Sequence, residues 1–185
     1  MSPPLMMSFP VNRQLRDKIC AQHGRLLRIA RSWCHDQMLA EDLAQETIVR
    51  ALSKMGSLRE EAKLEVWLTR VMVNLFRDMH RKKEAIVGID VEPESEDDNP
   101  EQSLERIESI HRVRDAMRKL NEGQRQIIAL VDIAEFSYVD TAHILSVPVG
   151  TVMSRLCRAR RSLRSTLERA ARQPVAVTTR RAQHA

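Results

Sequence analysis

The stretch Ser137–Arg164, SYVDTAHILSVPVGTVMSRLCRARRSLR, reads as two short helices around a tight turn, the second studded with arginine. The two helices of a helix-turn-helix cross closely, which calls for a small residue inside the first, and Ala142 stands at that point. Val147-Pro148-Val149-Gly150 then interrupts the first helix, because proline lacks a backbone donor and disfavours helical geometry in the residue before it. A second helix is expected from about Val149. At 3.6 residues per turn Val152, Leu156, Ala159 and Leu163 share one face and should be buried, while Ser154, Arg158 and Arg161 point the opposite way. Thr151 and Arg155 flank that outer face near the helix start, the end that meets base edges in the major groove. These five are the candidate DNA contacts: arginine can bridge guanine or grip phosphate, and hydroxyls can do either weakly. A solvated basic face on an ordinary amphipathic helix would have the same spacing.

Charge is uneven along the 185 residues. Residues 1–89 hold 15 basic against 10 acidic side chains, 90–105 none against 8, and 106–185 15 against 7. Two basic blocks therefore flank an acidic bridge. The bridge, IDVEPESEDDNPEQSLE, contains Pro93 and Pro100 and few large apolar residues, too little apolar surface to offset the entropy of ordering, so it is expected to be a flexible linker. Strand-like runs with turn pairs are absent and aromatics make up only 3% of the chain, so the expected fold is all-α. Gly-rich phosphate loops, nucleophile elbows and paired-carboxylate motifs are missing, which argues against an enzyme and against a small-molecule substrate. Cys20, Cys34 and Cys157 form no CxxC pair, and the six histidines show no ligand spacing, so no metal or other cofactor is expected. A signal peptide and a bilayer-length apolar run are likewise missing, which points to reducing cytoplasm without membrane insertion.

In the first block the apolar residues Leu15, Ile19, Leu26, Ala30 and Trp33 keep helical spacing, predicting one packing helix from Arg13 to Trp33 that ends at His35-Asp36. A second helix is predicted from about Leu39 to Met55, with Ala44, Ile48, Ala51, Leu52 and Met55 inward. Asp42, Gln45, Glu46 and Val49 form its other stripe, at i, i+3, i+4 and i+7, the spacing by which one helix docks on a partner's helix; a solvated face fits equally well. After the loop SLREEAK, a third helix carries Leu64, Trp67, Leu68, Val71 and Leu75 inward. Its outer stripe is Arg70, Asn74, Arg77 and Arg81, continuing into Lys82 and Lys83, a track suited to a nucleic-acid backbone.

Three blocks, AEDLAQETIVRAL (40–52), VWLTRVMVNLFRDMHRKK (66–83) and LNEGQRQIIAL (120–130) followed by Phe136–Arg164, stand in an order and spacing that resemble the extracytoplasmic-function (ECF) sigma factors, promoter-recognition subunits of bacterial RNA polymerase. The resemblance covers about residues 11–170. It implies two small helical domains, a region 2 bundle at 11–87 and a region 4 helix-turn-helix at 105–170, joined by the acidic flexible linker 88–104 and followed by a disordered tail, 171–185. It implies that Asp42, Gln45, Glu46 and Val49 dock on the clamp helices of the polymerase's largest subunit, that region 4 meets the flap, and that Arg70, Asn74, Arg77, Arg81 and Lys82 hold the minus-ten element. The 53–63 connection would shape a pocket for a flipped base, and Thr151, Ser154, Arg155, Arg158 and Arg161 would read the minus-thirty-five element. Control by an anti-sigma factor is part of the same expectation, with the protein nucleoid-associated when active. A free-standing helix-turn-helix regulator would not need the Asp42–Val49 stripe, and an adaptor that only titrates an anti-sigma factor would not need the outward arginines. The chain departs from the family pattern at Ser146, usually glycine, at Thr141, usually apolar, at Met153, often basic, and at Leu64, often aromatic. The turn at Ser146 is therefore expected to be strained or locally different.

Overall fold

The computed structural model describes residues 9–34, 36–86 and 104–172, with side chains described over 13–34, 36–81 and 110–171. The expected linker 88–104, apart from Leu104, the tail from Gln173 onward, His35 and the Lys82 side chain lie outside the described residues.

Every regular element among the described residues is helical: α1 (Phe9–Ala21), α2 (His23–Trp33), α3 (Gln37–Lys54), α4 (Leu64–Ile86), α5 (Leu104–Arg118), α6 (Glu122–Ile128), α7 (Tyr138–Leu145) and α8 (Val149–Arg172). The single helix predicted over Arg13–Trp33 is two. Gln22 departs from ideal helical geometry at ψ −4°, its N–H turns back to the Ile19 carbonyl at 3.1 Å, and Gly24, a weak helix former, follows. The predicted apolar face survives the break, with Ile19, Leu26, Ala30 and Trp33 all buried. Asp36 caps α3 by accepting the Met38 N–H at 2.8 Å. α3 packs on both α2 and α4, and the Trp33 and Phe76 rings meet at 5.4 Å between centroids. The buried hydroxyls of Thr47 and Thr69 are satisfied within their own helices, by the carbonyls of Leu43 and Glu65.

Sequence dictates the second half as closely. Asn121 and Gln124 form a reciprocal capping box that starts α6. α6 then widens into a π turn at Ala129–Ile133, where the Ala134 N–H reaches the Ala129 carbonyl at 2.9 Å. Ser137 caps α7 by accepting the Asp140 N–H at 3.0 Å. Ala142 is buried where the helices cross, and Val152, Leu156 and Ala159 of α8 face the interior as their spacing predicts. α5, α6 and α7 all pack against α8.

The departure at Ser146 has a clear physical outcome. Ser146 ends α7 in the left-handed region, at φ 57° and ψ 48°, where glycine carries no penalty and a side chain costs roughly 1–2 kcal/mol. Thr141 is fully buried, and its hydroxyl has no hydrogen-bond partner. The position that is usually apolar thus buries a polar group without compensation.

The two helical units are packed together. α4 lies against α7, and α2 against α6 and the π turn, so that one buried apolar cluster runs through both.

Candidate nucleic-acid interface

α8 presents its basic face to solvent. Ser154, Arg155, Arg158 and Arg161 are exposed and Thr151 is half-buried at the helix start. The Ser154 hydroxyl donates to the Thr151 carbonyl at 3.1 Å, and Arg158 Nε donates to the Ser154 carbonyl at 3.3 Å. Both are contacts within one helix that a phosphate or a base edge can replace. Arg155 and Arg161 have no side-chain partner among the described residues. Their neighbour Arg160 is used differently. Its guanidinium forks onto both carboxylate oxygens of Asp132, tying α8 to the π turn. The sequence places Arg160 and Arg161 side by side, and the structure divides them between packing and presentation.

α4 is less free than its spacing predicts. Arg70 and Asn74 are exposed, and Arg81 is exposed with Asp78 at 2.8 Å on the same helix. Arg77, however, donates through Nη2 to the Leu145 carbonyl at 3.2 Å, at the end of α7 beside the helix-turn-helix turn. A periodicity argument sees only the bundle to which a helix belongs, and a second domain now covers part of the outward stripe. His80, nearly one turn on, meets Phe76 with ring centroids 4.3 Å apart and planes tilted by 56°, and lies 3.8 Å from Glu122 of α6.

Arg25 is legible in the sequence only as a basic residue between apolar ones, yet it anchors the junction. Its Nη2 donates to the Ala134 carbonyl at 2.9 Å, its guanidinium lies 5.1 Å from the Phe136 ring centroid, and Glu65 of α4 pairs with it at 3.2 Å. The signal in the sequence is its place four residues before buried Ile29, at the edge of the apolar face. The α3 stripe is open to solvent along its length: Gln45 and Val49 are exposed, and Asp42 and Glu46 stand beside them. Val49 keeps 59% of its surface in water, a large apolar group left uncovered between polar neighbours.

The Sigma-70 region 2 family model matches residues 20–86, and the Sigma-70 region 4 model matches residues 110–163. The ECF RNA polymerase sigma factor EcfG of Rhodopseudomonas palustris is 35% identical over 164 residues, 85% of this chain and 87% of its own length. The chain belongs to the ECF sigma factors. SigW of Bacillus subtilis, of the same family, is 32% identical over 140 residues, covering 69% of this chain and 75% of its own length. Among solved structures, the sigma factor RpoE in complex with the anti-sigma factor NepR from Bartonella quintana superposes with a TM-score of 0.74 at 28% identity, over 84% of this chain and 98% of that one. CnrH in complex with the cytosolic domain of CnrY superposes at 0.62 and 25% identity, over 86% and 96%. As an ECF sigma factor the chain is a DNA-binding transcription initiation factor, and α4 and α8 belong to its matched regions 2 and 4. Among the described residues no helix is long and apolar enough to cross a membrane.

Proposed function

We propose that this sigma factor brings core RNA polymerase to its promoters with three separate surfaces and no catalytic activity of its own. Asp42, Gln45, Glu46 and Val49 of α3 dock on the clamp helices of the largest subunit. Arg70, Asn74, Arg77, Arg81 and Lys82 of α4 hold the opened minus-ten element. Thr151, Ser154, Arg155, Arg158 and Arg161 of α8 read the minus-thirty-five element, while region 4 rests on the polymerase flap. The functional divisions are region 2 at 11–87, the acidic linker at 88–104 and region 4 at 105–170. The protein works in the cytoplasm, and an anti-sigma factor holds it inactive, a reading that the similar RpoE–NepR complex favours.

The observation that carries this reading is the simultaneous presence of an acidic and apolar stripe open to solvent on α3 and an arginine face on α8. A repressor has no use for the first, and a titrating adaptor has none for the second. The closed packing is then a resting state. Elements about 25 base pairs apart lie about 85 Å apart along the duplex, whereas a compact 185-residue chain has a radius of gyration of about 16 Å. The domains must part to reach both, and the 16 residues between position 87 and α5 can extend about 55 Å.

Run-off transcription with purified core polymerase over a genomic promoter library tests the reading, because it requires core binding, opening and specificity together. Transcripts from a restricted promoter set are expected, and Asp42→Arg with Glu46→Arg should abolish both transcripts and core pull-down while helical content stays intact. Silence at every promoter from a folded protein contradicts the proposal.

A further inference from the structure

Between the packed domains lies a half-open cavity of about 410 Å³ that none of the three promoter and polymerase surfaces uses. One wall is the end of α2 and its turn into α3, the other is α5 with α6 and the π turn. Five arginines, Arg28, Arg31, Arg114, Arg118 and Arg125, are among the residues that line it, with Asp36 and Asp115. Asp36 is already engaged in capping α3, and Asp115 pairs with Arg118 at 3.4 Å. Arg28, Arg31 and Arg114 carry no ion pair among the described residues. Arg125 is buried, at 8% exposure, with Nη1 donating to the Arg118 carbonyl at 3.2 Å. Burial lowers its pKa, so an anion alongside would favour its charged form. The Cys34 thiol in the same wall is pushed up to about 12, chiefly by burial, and stays neutral, adding no negative charge of its own.

Arginines on both walls suit the oxygens of phosphate, which guanidinium grips in paired hydrogen bonds. The remaining lining mixes polar Ser32, Gln37 and His111 with buried Met117 and with Val113 and Ile133, which leave 46% and 49% of their surface uncovered. That combination suits a ligand with clustered negative charge at one end and a body with apolar faces and polar edges at the other. Its volume falls within the range of small-molecule sites, about 300–1,000 Å³. We propose that this junction cavity is a regulatory site for a phosphorylated small molecule of the nucleotide class, and that its ligand holds the two domains closed. The walls come from both domains, so the site exists only in the closed form. A ligand at about 100 times its Kd shifts the closed-to-open ratio about 100-fold.

The test uses the full chain, titrated calorimetrically with pyrophosphate, AMP and GDP, with thermal unfolding in parallel. At least one nucleotide should bind and raise Tm, more strongly than pyrophosphate does. Arg31→Glu with Arg114→Glu, both exposed positions, should weaken binding at least tenfold with circular dichroism unchanged, and Arg155→Glu with Arg161→Glu on α8 should leave it intact. The milder Arg31→Ala with Arg114→Ala keeps the test open if charge reversal disturbs folding. Absence of binding by all three probes overturns the proposal, as does binding that survives the junction variants or is lost equally in the α8 variant. A twelve-residue polyglutamate peptide that binds more tightly than every nucleotide, through the same arginines, also overturns it and reassigns the cavity to an acidic protein partner. Transcription without added nucleotide tests the promoter reading separately.

Discussion

α4 and α8 carry nearly the same pattern, arginines at helical spacing opposite an apolar face, and the structure treats them differently. On α8, Arg155, Arg158 and Arg161 stand in solvent and their neighbour Arg160 is tied to Asp132. On α4, Arg77 is held by the Leu145 carbonyl of the other domain, while Arg70 and Asn74 stay open to solvent. Similar periodicity thus yields one arginine face open to solvent and one partly covered by the other helical unit. Amphipathic spacing tells which side of a helix leaves its own bundle; it says nothing of what a second bundle lays over that side.

Four substitutions test the difference between the two helices. Arg25→Ala removes a charge-assisted hydrogen bond and a cation–π contact across the junction. Together these are expected to cost about 2–3 kcal/mol of domain closure, seen as faster hydrogen exchange in α7 with little change in α3; exchange unchanged in α7 would remove Arg25 from the junction. Arg158→Ala should cost about 1–3 kcal/mol of promoter affinity and relax preference at one base position. Equal weakening on every sequence would make it a phosphate contact instead. Arg77→Ala is expected to loosen closure by about 1–1.5 kcal/mol in the same exchange measurement, an effect that Arg158→Ala should not have. Ser146→Gly should raise stability by roughly 0.5–1 kcal/mol in a denaturant titration, since it relieves the left-handed turn without touching either arginine face; a loss of stability would mean that the serine conformation carries no strain.

Much of this is legible in the residues. The buried face of α8 follows from spacing, whereas on α3 only Ala44 and Ala51 of the predicted inward residues are buried, beside Ala40, Leu43 and Thr47, and Ile48, Leu52 and Met55 are partly buried; Ser146 and Thr141 stand out as departures only through the family resemblance. The break at Gln22 escapes such a reading because the apolar stripe passes through it undisturbed. The π turn escapes it because an extra residue within an apolar run leaves no mark on composition. The contacts of Arg25, Arg77 and Arg160 depend on carbonyls and carboxylates brought close by tertiary packing, with partners 109, 68 and 28 residues distant, and no local pattern encodes them. The junction cavity is illegible for the same reason: its arginines are scattered over α2, α5 and α6 and converge only when the domains meet.

In the function proposed for this chain, one set of helices serves a closed resting state and an open promoter-bound state. Spin labels on α4 and α7 measure the change directly, by the distance between them in the free chain and in the complex with core polymerase and promoter DNA. A short, narrow distribution in the free chain that lengthens by tens of ångströms in the complex is the predicted result; the same short distance in both would contradict the account.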